Sequence, residues 1–109
     1  MNAHALAHRA DDTPIQILFH MHRAIRAAGQ THRVPPSLDE DAEMERLYWR
    51  RTDALEAAIL ALPCLTPADF AAKLMIETMD GAVETDPETG AVWREARRLT
   101  AAYPAEMVA

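Results

Sequence analysis

The chain has 109 residues, half of them hydrophobic, a formal net charge of −6, one cysteine and three glycines. That length suits a single domain with its own core. The lone cysteine excludes an internal disulfide, no apolar run reaches bilayer-spanning length, and the acidic balance argues against non-specific nucleic-acid binding.

The first residues, Met1-Asn2-Ala3-His4-Ala5-Leu6-Ala7-His8-Arg9, lack the continuous apolar stretch of a signal peptide, so a cytoplasmic protein is expected. Residues 1–12 read as a polar, alanine-rich flexible tail ahead of a single helical domain over 13–109. His4 and His8 stand four apart, but two histidines without a third ligand of fixed geometry do not define a metal site.

Thr13-Pro14-Ile15-Gln16 is a helix start, with a threonine cap and proline at the first helical position. The spacing predicts a helix over 14–28, ended by Gly29. Ile17, Leu18, Met21, Ala24, Ile25 and Ala28 form its inner face, and His22 stands at the edge as a hydrogen-bonded boundary residue. Residues 30–36 are a linker, because Pro35-Pro36 cannot continue a helix.

Ser37 and Glu40 form a capping box for a long helix over 38–62, roughly 38 Å at 1.5 Å per residue. Met44, Leu47, Tyr48, Leu55, Ala58, Ile59 and Leu62 make its apolar face. Two residues break the pattern. Arg51 falls within the apolar stripe, and Trp49 falls on the charged side, in line with Asp53, Glu56 and Leu60. An outlying tryptophan marks either a second contact surface or a place where a neighbouring helix covers it.

The turn Leu62-Pro63-Cys64-Leu65-Thr66 makes the next helix an antiparallel neighbour, with Cys64 as a small apolar plug. Thr66-Pro67-Ala68-Asp69 repeats the cap-and-proline start and predicts a helix over 67–80, stopped at Gly81. Ala71, Leu74, Met75 and Thr78 are expected inside, and Asp69, Lys73 and Glu77 form an outer ladder. Asp86-Pro87-Glu88-Thr89-Gly90 suits either a hairpin loop or a helix start. The spacing of Val92, Ala96, Leu99 and Tyr103 favours a helix over 87–102. The expected fold is all-α, a four-helix bundle-like domain with one long central helix.

No phosphate loop, paired cysteines, zinc-protease motif or nucleophile elbow occurs, so neither an enzyme nor a cofactor or metal is expected. The expected function is a non-enzymatic protein-interaction or oligomerisation module, a homodimer or the partner of another protein. Trp49, Leu60 and Trp93 are its candidate interface residues. Between Thr13 and Leu38 there is no acid, only histidines with Arg23, Arg26 and Arg33. These arginines either face the fold's own acids or contact an acidic partner. The alternative function is a nucleic-acid-associated regulator using segment 20–33.

Two resemblances accompany this reading. Leu65-Thr66-Pro67-Ala68-Asp69-Phe70-Ala71-Ala72-Lys73-Leu74 resembles the first helix of a helix-turn-helix, but Met75-Ile76-Glu77 continues the helix where that motif turns. The wider pattern of Arg51, Ala54-Leu55-Glu56, Ala58-Ile59, Pro63, Thr66, Ala71 and Lys73-Leu74 resembles small uncharacterised helical proteins of bacterial genomes, some near prophage-like genes. That resemblance implies a bacterial origin, in line with ten arginines against one lysine, and attaches no activity.

Overall fold

The computed structural model describes residues 12–101. The tail expected over 1–12, with His4 and His8, lies outside them save for Asp12, as do Ala102, the expected end of the last helix, and Tyr103. The described chain is all-helical, with four helices and no strand: α1 (Pro14–Thr31), α2 (residues 40–61), α3 (Pro67–Glu77) and α4 (Ala91–Ala101). None is long and apolar enough to cross a membrane among the described residues.

The helix starts follow local chemistry. The Thr13 hydroxyl accepts from the Gln16 amide at the head of α1. Thr66 and Asp69 form a reciprocal capping box on α3. For α2 the cap is Asp39, which accepts from the Ala42 amide, rather than Ser37. Pro35 and Leu38 close a turn that holds Ser37 outside the helix. α2 is the longest helix, at 22 residues, beginning two residues later and ending one earlier than the range 38–62.

Inside α2 the segment Glu45–Trp49 is a π-turn, with the Arg50 amide bonded to the Glu45 carbonyl five residues back. A π-turn adds one residue and retards the helix phase by roughly 100°. The inner stripe therefore moves one position along the sequence. Thr52 is buried where regular spacing places Arg51, and Arg51 is exposed. Trp49, assigned by that spacing to the charged side, is half-buried against α1.

Gly29 does not end α1. It lies within the helix, buried, where an added Cβ would stand 2.6 Å and 2.8 Å from ring carbons of Trp49. The glycine is there for close approach, not for a left-handed turn. Gly29→Ala should gain about 1 kcal/mol in helix propensity and lose about 2–3 kcal/mol to overpacking. A net destabilisation in urea titration, with an altered near-ultraviolet dichroism of Trp49, is the expected outcome.

α2 and α3 each touch all three other helices, so the central place is shared rather than held by α2 alone. The core gathers Ile15, Ile59, Cys64, Ala72 and Ile76, with Leu18, Phe19, Leu60 and Leu99 packed on it. Two faces are rotated from expectation. On α1, Ile15, His22 and Gly29 are buried while Met21 and Ala28 are exposed. On α3, Asp69 and Lys73 are buried, and Leu74 and Met75 stand in solvent. The charged pair goes inward because the turns beneath it need partners for their backbone groups.

Asp69 accepts from the Leu65 and Thr66 amides, the Thr13 hydroxyl and the Gln16 side-chain amide, so one carboxylate ties the starts of α1 and α3 together. Lys73 donates to the Leu62 carbonyl and to Glu95, which itself accepts from the Cys64 amide at 2.8 Å and from Arg98. α4 is thereby stitched to the α2–α3 turn. Burial pushes the Cys64 thiol up to about 11, which suits an inert plug.

α4 begins at Ala91, later than expected. Asp86 folds over the amides of Glu88 and Thr89 in a turn without strands. Glu77, the last residue of α3, accepts from the Ala91 and Val92 amides and caps α4 across the fold.

Candidate functional site: a cleft above the end of α3

α3 is shorter than the α1–α2 hairpin it leans on. At its last turn lies a cleft of about 480 Å³ walled by α1, α2, the end of α3 and the turn that follows it. That volume lies within the roughly 300–1,000 Å³ of ordinary binding pockets.

The wall from α1 carries Arg23 and Arg26. Both guanidiniums close on the single carboxylate of Asp80, Arg23 with two nitrogens and Arg26 with one. Hydrogen bonds from Arg23 and Arg26 outweigh the effect of burial and hold Asp80 down at about 2. Two cations against one anion leave this wall positive.

The wall from α2 carries Trp49, Asp53 and Glu56, which the π-turn brings to the cleft. Glu56 meets His22 at 2.8 Å, and its side chain remains 40% exposed. Asp53 is exposed and has no hydrogen bond or ion pair among the described residues. The Thr52 hydroxyl donates to the Trp49 carbonyl of its own helix at 3.0 Å. His22 is buried, and its Nδ1 has no partner among the described residues.

The rim is apolar and comes from the end of α3. Met75 is 41% exposed and Met79 65%. The Asp80 amide bonds the Met75 carbonyl at 2.8 Å, and the Met79 amide bonds the Ile76 carbonyl at 3.2 Å. This pair of bonds is the Schellman closure of a helix, in which the residue after the cap is left-handed and usually glycine. Here that residue is Met79, at φ 50°, followed by Asp80 at 59° and Gly81 at 89°. The stop expected at Gly81 thus comes earlier, on a side chain that fits it poorly.

The residues singled out from sequence separate into groups. Arg23, Arg26 and Trp49 meet at the cleft. Arg33 stands apart, beside His32 and Pro35 in the linker. Leu60 packs against the core, and the Trp93 indole donates to the Thr85 hydroxyl at 2.7 Å while 43% exposed. Of the three candidate interface residues, Trp49 lines the cleft, and Leu60 and Trp93 lie outside its lining. His22 is hydrogen-bonded as expected, but in the interior rather than at a helix edge.

Regular spacing lines Asp53 and Glu56 up with Trp49, but no sequence feature joins that line to Met75, Met79 and Asp80. Their meeting at one cleft depends on the π-turn and on where α3 stops, and neither has a sequence signature as plain as a proline or a cap. Compared with known proteins, the chain matches no family model, no curated protein and no solved structure.

Proposed function

We propose that this protein is a non-enzymatic interaction module, a bundle-like helical scaffold whose cleft receives the apolar side chains of a protein partner. The observation that carries this reading is Met79. A non-glycine residue in the left-handed region costs about 1–2 kcal/mol, and Met79 recovers little by burial, since it is 65% exposed. Such strain collects where a side chain must be presented. Methionine also suits a surface that adapts to a partner's shape.

The chemistry around the cleft supports the same reading. Its hydroxyl at Thr52 is committed to the helix backbone, its histidine is buried against Glu56, and the high-pKa thiol of Cys64 lies outside the lining.

A photo-cross-linking residue placed at position 79 in the native cell is expected to give a discrete protein adduct, lost when Met75→Asp is added. The same residue at exposed Glu88 should give none. No adduct at position 79, or equal yield at both positions, would sink the reading.

A further inference from the structure

The two long walls of the cleft carry opposite charge. On α1, Arg23 and Arg26 share one acid and keep one unit of positive charge in excess. On α2, Asp53 is unpaired among the described residues, and Glu56 keeps one carboxylate oxygen beyond its contact with His22. The apolar part of the lining is Trp49 on the α2 wall and Met75 and Met79 at the rim. A surface that is positive on one side and negative on the other, with an apolar rim, complements itself when rotated by half a turn.

We propose that the cleft pairs with the cleft of a second copy of this chain about a two-fold axis, setting Arg23 and Arg26 of each copy against Asp53 and Glu56 of the other. This rests on the interaction reading above and names the partner. Charge complementarity selects a second copy. A ligand of one sign meets a like-charged wall wherever it sits in the cleft, whereas a rotated copy offers each wall its opposite at once. The two Met79 side chains, already held outward by the closed turn after α3, would meet near the axis and shield both pairs of charges from water.

Each copy carries a net −6, so repulsion over the whole molecule obscures any simple salt dependence. A charge exchange reads the interface directly. Sedimentation velocity from micromolar to near-millimolar protein should show the wild type passing from monomer to dimer mass. Asp53→Arg cancels the negative charge of the α2 wall and turns a cation toward the partner's Arg23 and Arg26, and Arg26→Glu makes both walls negative. Each alone should weaken dimerisation on the order of a hundredfold, because like charges then face one another. An equimolar mixture of the two should recover dimer mass, since positions 53 and 26 again join opposite signs across the axis.

If Arg26→Glu, placed beside Asp80, does not fold, Met79→Asn serves instead. Asparagine tolerates the left-handed conformation, so the melting temperature should hold or rise while dimer mass is lost. A wild type that stays monomeric at near-millimolar concentration overturns the proposal. So does a mixture that stays monomeric, or a folded Met79→Asn that dimerises like the wild type. A monomeric wild type that still gives the position-79 adduct, with a different protein in it, removes self-pairing and leaves the interaction module standing. Loss of that adduct removes both.

Discussion

Glu95→Ala is expected to destabilise the protein by about 3–5 kcal/mol, the usual cost of leaving a buried charge without its counter-ion. The Lys73 ammonium would stay inside with only the Leu62 carbonyl, and the Cys64 amide and Arg98 would lose their acceptor. Set against a total stability of about 5–15 kcal/mol, that loss is large enough to unfold much of the population at body temperature. Urea denaturation followed by far-ultraviolet dichroism measures it. The double change Lys73→Met with Glu95→Leu should cost markedly less, because it removes both charges together. A double variant as unstable as the single one would mean that packing, not charge, sets the loss.

The same carboxylate sets an acid limit. Burial pushes the Glu95 carboxyl up, but hydrogen bonds from Arg98, the Cys64 amide and Lys73 outweigh it and hold the group down at about 2. A group lowered on folding contributes stability above its unfolded value, here 4.5, and gives it up as pH falls toward the folded value. Asp69 and Asp80 are lowered as well, so the losses accumulate over the same interval. Unfolding free energy should be flat from neutral pH to about pH 5 and fall steeply between pH 4.5 and 2. In Glu95→Gln that fall should be shallower, starting from a lower plateau.

Asp69→Ala is the second large loss, expected at about 3–4 kcal/mol. Removing the buried carboxylate takes the acceptor from the Leu65 and Thr66 amides, and a hydrogen bond to a charged group is worth about 1.5–3 kcal/mol. It also frees Thr13 and Gln16, so the start of α1 should fray together with the start of α3. Hydrogen exchange should show both ends losing protection at once. The Thr13→Ala variant should cost less alone, and its effect should shrink in the Asp69→Ala background, since the two share one hydrogen bond. Full additivity would show that the two helix starts are independent.

Legibility followed the reach of the signals. All four helices, the all-α class and the two threonine-proline starts could be read directly, because caps and prolines act through bonds a few residues long. Which face of each helix turns inward could not. On α3 the expectation put Leu74 and Met75 inside and Asp69, Lys73 and Glu77 outside, which reverses the structure for both apolar residues and for Asp69 and Lys73. The binary pattern prices charge by its own desolvation and overlooks the backbone groups of distant turns that a buried carboxylate or ammonium can satisfy. Gly29 shows a related limit: the same residue type ends helices and admits tryptophans, and only the partner across the interface decides. The cleft was legible only in fragments. Arg23, Arg26 and Trp49 stood out as anomalies, while Asp53, Glu56 and Asp80 looked like an ordinary charged surface and Met75 like part of the inner face.

The π-turn in α2 makes the chain unusually sensitive to the loss of one codon. Deleting a single residue between 45 and 49 would restore regular winding and swing residues 50–61 by roughly 100° relative to what precedes them. Glu56 would leave His22, Ile59 would leave the core and Asp53 would leave the cleft, although no side chain had changed. The same deletion in the proline linker would only shorten a loop. Length variation among descendants of this chain should therefore gather in the linker and be missing from the middle of α2.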